Sequence, residues 1–247
     1  MLASLPVFLF VAAALFAGSV VSGVAGFGYA LVSIPLMILV LPATIAVPLQ
    51  GLATMIVTIW MGWQLRSWVQ LRRVLPLALA GMIGIPFGTW LLLILDIQTL
   101  KVMIGAISVL GALAFLAGWH KPIAESWRTT SWIGFLGGVL TGSTGMGGTP
   151  LVLFLSNQGT EKQAFRANLT ACFASWTLIS VLSQVWGGLL TSEVLRHAVL
   201  MAPVALLGRW AGMRLAPRIN EERFRTFTLL LLIGTSLLAI ASGLGVL

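Results

Sequence analysis

A glycine-rich interruption occurs twice in this chain, each time inside a hydrophobic segment. The first copy reads Ser-Gly-Val-Ala-Gly-Phe-Gly over residues 22–28, and the second reads Thr-Gly-Ser-Thr-Gly-Met-Gly over residues 141–147. A glycine cluster weakens a helix because glycine loses more backbone freedom on folding than any other residue. Two such weak points at matching places in two halves constrain the fold more than any other feature.

Composition places the chain in a membrane. Hydrophobic residues make up 59% of it and charged residues 8%, whereas a soluble domain carries about 25% charged residues. Such a chain has too little polar surface to face water, so the bilayer is its solvent. The net charge of +8 then reflects basic residues that flank spans and set their orientation, and nucleic acid is not a predicted partner.

Apolar segments run along the whole chain and predict an all-α polytopic membrane protein. Three of them, 28–41, 131–142 and 147–158, are shorter than the roughly 20 residues that a span needs. Two five-segment repeats, about 5–119 and 131–245, joined by a polar linker at 120–130, account for the pattern. We therefore predict a single membrane domain over residues 1–247. The ten segments are 5–22, 28–41, 45–64, 74–95, 98–119, 131–142, 147–158, 166–189, 195–214 and 223–245.

The distribution of basic residues predicts the orientation of the repeats. If each interruption is the tip of a hairpin, each half has three further crossings and the second half is inverted. Twelve basic residues then share one side, and Lys101 and Arg196 lie on the other. If each interrupted pair is one discontinuous span, the repeats are parallel and the split is six against eight. The twelve are Arg66, Arg72, Arg73, Lys121, Arg128, Lys162, Arg166, Arg209, Arg214, Arg218, Arg223 and Arg225.

Because basic residues accumulate on the cytoplasmic side, this count favours two inverted five-segment repeats. Each repeat then has a glycine-broken helical hairpin and three further transmembrane helices. The same count places both chain termini on the outer, periplasmic side of a bacterial inner membrane. Whether the hairpins are re-entrant or fully spanning stays open, because both arrangements have the same parity.

The two interruptions are predicted to form one anion site. A helix that restarts after a break exposes free N–H groups at the positive end of its dipole, near Gly28 in one copy and near Gly147 and Gly148 in the other. In inverted repeats the hairpin tips meet near mid-membrane, so two helix N-termini converge on one pocket. The alternative is close helix packing through small residues. The predicted binding residues are Ser22, Gly23, Gly26, Gly28, Tyr29, Thr141, Gly142, Ser143, Thr144, Gly145, Gly147, Gly148 and Thr149.

Gln50, Asn168 and Arg209 extend the predicted site into a substrate path. Each has a structural alternative, since Gln50 and Asn168 can cap or cross-link helices and Arg209 can extend to the membrane interface. The six acidic residues all fall in or beside loops, so no relay of buried acids is predicted. An anion can instead leave the cell with the membrane potential, which contributes about 2.3 kcal/mol per charge per 100 mV.

The second copy, from Gly137 to Pro150, carries a family resemblance. It reads Gly-Gly-Val-Leu-Thr-Gly-Ser-Thr-Gly-Met-Gly-Gly-Thr-Pro and, with a looser first copy from Gly23 to Pro35, resembles the TauE/SafE sulfite exporter family over essentially the whole chain. The resemblance implies transport of small anions such as sulfite, sulfoacetate, thiosulfate or small carboxylates. Tyr29 stands where a further glycine is often found. The motif glycines carry over onto Gly23, Gly26, Gly28, Gly142, Gly145 and Gly147.

The predicted function is transport of a small anion across the membrane, with export of sulfite or an organosulfonate by alternating access around a mid-membrane site. An anion channel and an uptake carrier for thiosulfate or small carboxylates remain alternatives. An intramembrane enzyme or a membrane assembly factor is more remote, because no HExxH motif occurs and Ser143 has no histidine nearby in the sequence to activate it. No catalytic residue, metal or cofactor is predicted, and a homodimer stays open.

Overall fold

The computed structural model describes residues 4–117 and 125–245. Within those ranges the chain is helical and contains no strand, which confirms the all-α prediction. Lys121, both chain termini and residues 120–124 of the predicted linker lie outside the described residues. The helices are α1 (Leu5–Ala25), α2 (Tyr29–Met37), α3 (Ala43–Leu65), α4 (Leu71–Ile94), α5 (Ile97–Leu116), α6 (Trp127–Thr144), α7 (Gly148–Ser156), α8 (Lys162–Trp186), α9 (Ser192–Leu215) and α10 (Glu221–Gly243), with 3-10 turns at Arg66–Trp68 and Ala216–Arg218.

Six of the described helices, α1, α4, α5, α8, α9 and α10, are long and apolar enough to cross a membrane. Helix α3 is bent by 43° and would be a seventh span. Helices α2 and α7 have nine residues each, so at 1.5 Å per residue they cover less than half of a hydrocarbon core about 30 Å thick. The chain is a multi-pass membrane protein with two short helices.

The first break is narrower than the sequence predicts. Helix α1 continues through Ser22 and Gly23, and ends only at Gly26, whose N–H donates to the carbonyl of Ser22. The chain then restarts as α2 after Gly28. Gly23 stays helical because its bare Cα lets α1 approach α9: a Cβ there would lie 2.6 Å from the carbonyl oxygen of Arg209.

The second break is also narrower, because α6 extends beyond the predicted segment 131–142 at both ends. Ser126 caps its start by accepting a hydrogen bond from the N–H of Thr129. At its end, the hydroxyls of Ser143 and Thr144 donate to carbonyls one turn earlier, at 2.8 Å each. The two hydroxyl groups thus find their hydrogen-bond acceptors within α6. The helix therefore continues through Ser143 and Thr144 and ends before Gly145.

The helix pairs are reciprocal between the two halves of the chain. Helix α1 packs on α9 and α6 packs on α4, and these pairs exchange when α1–α5 are replaced by α6–α10. Helix α5 packs on α10 and α3 packs on α8, and these two pairs map onto themselves. The packing of the described helices is therefore symmetric between the two halves of the chain.

The self-mapping pairs run antiparallel. Gly105 of α5 faces Ser236 and Ile240 of α10, whereas Gly243 faces Gln98 and Val102. Contacts between the two helices therefore move backward along α10 as they move forward along α5. Helices α3 and α8 behave in the same way, since Gly62 lies beside the side chains of residues 170 and 174 and the N–H of Gln70, beyond α3, donates to Asn168 near the start of α8.

Candidate functional site

A cavity of about 150 Å³ lies between the two hairpin tips. The first tip contributes Ser22 and Tyr29, and the second contributes Gly145 and Thr149. Side chains of α3, α8 and α9 close the remaining sides. None of the residues that line it is exposed, so the cavity lies within the helix bundle and is bordered by both glycine breaks.

Ten of the sixteen predicted residues line this cavity. They come from both breaks, from α3 and from α9, whereas Asn168 of α8 does not line the cavity. The lining also includes all three residues between α1 and α2, namely Gly26, Phe27 and Gly28. The ten are Ser22, Gly26, Gly28, Tyr29, Gln50, Thr141, Gly145, Gly148, Thr149 and Arg209.

The other six predicted residues, all within the described part of the chain, have packing or bracing contacts elsewhere. Three are glycines at backbone approaches: Gly23 against α9, Gly142 against α4 and Gly147 against α6. Ser143 and Thr144 bond their own helix, as described above. Asn168 is braced by Gln70, since its Oδ1 accepts from the Gln70 N–H at 2.9 Å and its Nδ2 donates to Gln70 Oε1 at 3.2 Å. The contacts of these six residues are therefore those of helix packing or helix cross-linking, the structural alternatives to ligand binding.

Arg209 brings a positive charge to the cavity. Its Nη1 donates to Ser22 Oγ at 2.7 Å across the contact between α9 and α1. Its Nε is buried and has no hydrogen-bond partner among the described residues. Arg209 therefore turns inward toward the first hairpin tip instead of extending to the membrane interface. Its Nε–H remains free to donate a hydrogen bond.

Three hydroxyl groups around the cavity are buried: Thr149 Oγ1 has no hydrogen-bond partner in the described structure, and the hydroxyls of Ser19 and Tyr29 have no partner except each other. Buried polar atoms in folded proteins are normally paired with protein or water. By contrast, Thr141 also lines the cavity but donates to the carbonyl of Gly137 at 2.8 Å. The cavity is therefore lined by hydroxyls with few or no partners, beside an arginine that has a free N–H.

The electrostatic character of the cavity is positive. Gly28 caps the start of α2 and Gly147 caps the start of α7, which confirms where the helices were predicted to restart. The first N–H groups of a helix have no partner one turn earlier within it and lie at the positive end of its dipole. In α7 the N–H of Thr149 donates to the carbonyl of Met146 and Pro150 has no N–H, so these two residues offer no free backbone donor there. No aspartate or glutamate occurs among the described residues that line the cavity, so these dipoles and Arg209 are not neutralised there.

Comparison with known proteins assigns the family. The family model described as "Sulfite exporter TauE/SafE" matches residues 10–239. The chain belongs to this family. Members of the TauE/SafE family are membrane transporters, in agreement with the multi-pass helical fold.

A curated relative of this TauE/SafE chain is described as a probable sulfite/organosulfonate exporter TauE from Cupriavidus necator. The two are 29% identical over 143 residues, which is 56% of this chain and 56% of the relative. The match therefore spans little more than half of the relative's length. No solved structure matched the chain.

The TauE/SafE cavity has further polar lining that the sequence reasoning missed. Thr54 and Thr58 on α3, and Thr177 and Ser180 on α8, add hydroxyls along two helices that had been represented only by Gln50 and Asn168. A signal was available: on α3 the polar residues follow Gln50 at intervals of four, which places them on one helix face.

Proposed function

We propose that this chain carries a small anion, sulfite or an organosulfonate such as sulfoacetate, out of the cell by alternating access around the central cavity. The observation that supports this most directly is the lining of that cavity. Arg209, the buried hydroxyls of Ser19, Tyr29 and Thr149, and two helix N-termini surround a small space whose described lining contains no carboxylate. Such a donor set suits an oxyanion, which accepts hydrogen bonds from every side.

The alternating-access part of the proposal rests on inverted repeats. Two equivalent helices that pack antiparallel are related by an axis in the membrane plane, whereas parallel repeats would make them run in the same direction. The antiparallel pairs α5 with α10 and α3 with α8 support the inverted arrangement. In that arrangement one repeat can rock against the other and expose the same central site to each side in turn.

Export is the direction that the charges favour. With no carboxylate in the described cavity lining to carry a coupling proton, an anion moves outward down a potential that is negative inside. The potential supplies about 2.3 kcal/mol per charge per 100 mV. Sulfite efflux from proteoliposomes should therefore increase with an imposed inside-negative potential. Flux that is insensitive to the potential would contradict this part of the proposal.

The central test replaces Arg209. A hydrogen bond to a charged group contributes about 1.5–3 kcal/mol, so R209Q should weaken sulfite binding by about 10- to 100-fold. R209K, which keeps the charge but loses the planar fork, should fall between. The measurement is sulfite counterflow in proteoliposomes, together with binding to purified protein.

A matched control is R214Q, because Arg214 lies on the same helix but is exposed, with its guanidinium 4.8 Å from the ring centre of Trp210. R214Q should bind and transport as the unaltered protein does. Equal affinity in R209Q and R214Q would remove Arg209 from the site. Flux without counterflow or saturation would identify a channel instead of a carrier.

A further inference from the structure

A second cavity of about 660 Å³ lies beside the central one. Its rim residues Ala25, Ser156 and Pro217 are exposed, so it opens to the surroundings of the protein. Pro217 lies in the turn between α9 and α10, which also carries Arg218. This is the end of the molecule on which the basic residues concentrate, and the positive-inside rule makes it the cytoplasmic end.

The two cavities share a thin partition. Phe27, Gly28, Leu31 and Val152 line both of them. The ring of Phe27 packs on the ring of Phe115, with ring centres 5.2 Å apart, and Phe115 lines the second cavity alone. Phe27 is the largest side chain of the partition.

The backbone on both sides of Phe27 is glycine in a left-handed conformation, with φ of 85° at Gly26 and 90° at Gly28. Glycine reaches this region and the right-handed one about equally readily. The aromatic side chain is therefore attached to a segment whose backbone can change direction on either side of it. A bulky ring between two glycines can move by backbone rotation at Gly26 or Gly28, which is what a gate requires.

A positive charge lies on each side of the same hairpin tip. Arg166 lines the second cavity, and its Nε lies 3.4 Å from the point where a Cβ of Gly26 would stand. Arg209 lines the central cavity and holds Ser22, one turn before Gly26. Neither cavity has an acidic residue in its described lining, so an anion meets Arg166 first and Arg209 second.

We propose that the second cavity is the cytoplasmic vestibule of the transport path, and that Phe27 is the gate between it and the central site. Arg166 attracts the anion into the vestibule. Movement of Phe27 away from Phe115 then opens the partition toward Arg209. The identity of the travelling anion rests on the proposed function, whereas the access route does not.

The test measures access with a charged thiol reagent and needs no transport. In a C172S background, one variant places a thiol in the vestibule (L153C) and another places it in the central cavity (T149C). The probe is membrane-impermeant sulfonatoethyl methanethiosulfonate, added to the cytoplasmic face of inside-out vesicles. L153C should react readily and T149C slowly.

Adding F27A should accelerate the reaction of T149C by about tenfold or more, because a closed gate exposes the central site only in a minor state, typically 0.1–10% of molecules. The matched control is F135A, a partly buried phenylalanine that also packs on aromatic rings but lines neither cavity. F135A should leave the T149C rate unchanged. Equal T149C rates in the F27A and F135A backgrounds would overturn the gate.

The role of Arg166 has its own readout. R166Q should slow the reaction of L153C with the anionic reagent by roughly tenfold, the lower end of electrostatic steering effects. It should not slow the reaction with the cationic trimethylammonium analogue. Equal slowing of both reagents would mean a change of shape and would contradict the electrostatic role.

Two further outcomes distinguish the gated vestibule from a lipid-filled cavity and from a wrong choice of substrate. If L153C resists the sulfonate reagent but reacts with a membrane-permeant maleimide, the cavity holds lipid chains and the vestibule is wrong. If F27A opens the central site as expected while proteoliposomes move neither sulfite nor sulfoacetate, the gate stands and the proposed substrate fails. The proposed access route and the proposed substrate can therefore be refuted independently.

Discussion

Gly26, Gly28 and Gly145 are the residues at which the hairpins turn, with φ between 72° and 90°. An L side chain in this region brings its Cβ against the following carbonyl oxygen, at a cost of about 1–2 kcal/mol. At Gly28 the surrounding space would admit a Cβ, since the nearest atom would be Val21 Cγ1 at 3.4 Å. The constraint at Gly28 is therefore the backbone conformation and not the packing.

We expect G28A to lower the apparent melting temperature of the detergent-solubilised protein, and G28N to lower it less, because asparagine adopts the left-handed region more readily than alanine. G51A provides the control: Gly51 is helical, and a Cβ there would meet nothing within 4 Å. A G28A protein as stable as G51A would show that the turn does not need glycine.

Asp96 gives a prediction at the loop between α4 and α5. Its carboxylate caps α5, accepting from the Thr99 hydroxyl at 2.6 Å and from the Thr99 N–H at 2.9 Å. These hydrogen bonds hold the pKa of Asp96 below its ordinary value of 3.8. The group therefore stabilises the fold above that ordinary value, and the contribution is lost as the pH falls through the lowered one.

D96A should accordingly melt at a lower temperature than the unaltered protein at neutral pH, and the difference should shrink in strongly acidic buffer. D96N, which retains a capping oxygen, should lose less at neutral pH. Melting curves recorded across the acidic range would check both statements. A gap between D96A and the unaltered protein that does not change with pH would contradict the role of the carboxylate charge.

At the scale of elements, glycine pairs set the distance between helices. On α6, a Cβ at Gly142 would lie 2.7 Å from the backbone nitrogen of Thr89 on α4, and on α1 a Cβ at Gly23 would lie 2.9 Å from the Cα of Gly212 on α9. In both cases the obstacle is backbone, which cannot move aside as a side chain can. Small residues of this kind let membrane helices approach closely, and here they fix the hairpins against their neighbours.

G142A should therefore force α4 and α6 apart and destabilise the protein by about 1–3 kcal/mol, the usual cost of overpacking. G234A is the matched change on a helix with open space, since nothing lies within 4 Å of a Cβ there. It should be neutral or stabilising, because alanine favours a helix over glycine by about 1 kcal/mol. Apparent melting temperatures in detergent provide the comparison, and equal values would refute the packing role.

At the scale of the whole molecule, the orientation of the repeats can be tested with two serine-to-cysteine changes. Ser67, after α3, and Ser192, at the start of α9, are both exposed. Inverted repeats place Ser67 inside and Ser192 outside, whereas parallel repeats place both on the same side. In a C172S background, an impermeant thiol reagent added to intact cells should label S192C and not S67C.

The same experiment should place tags at the two chain ends outside, with residues 65–73 and 215–222 inside. Permeabilised cells provide the control, because both cysteines should then react. Labelling of S67C and S192C from the same side of intact cells would refute the inverted arrangement. It would also remove the structural basis for alternating access.

Much of the fold could be predicted from the sequence because its signals are local. The lengths of the apolar segments predict the helices, and the glycine clusters predict the positions of the two breaks. The exact ends could not be obtained in this way. Ser143, Thr144 and Gly23 have poor helix propensity alone, yet hydrogen bonds along α6 and the approach of α9 keep them helical.

The candidate site was only partly predictable for a related reason. Sequence motif alone treats all residues of a break alike, although Gly142 and Gly147 face neighbouring backbone while Gly145 and Gly148 line the cavity. Similarly, Gln50 and Asn168 are equivalent in the sequence pattern. In the structure the amide of Asn168 is hydrogen-bonded to Gln70, whereas Gln50 lines the cavity. Which face of a helix meets a partner depends on residues distant in the chain.

The sequence by itself determined that the chain is a membrane protein of repeated helices with two glycine breaks, because hydropathy, chain length and backbone freedom are properties of short segments. Only the tertiary structure decided that Arg209 turns toward Ser22, that Thr149 is left without a hydrogen-bond partner, and that Phe27 separates two cavities. The Arg209–Ser22 hydrogen bond joins helices from opposite halves of the chain, and Val152 of the second half lines the same partition as Phe27 of the first. They arise from the packing of whole helices, and no local pattern encodes them.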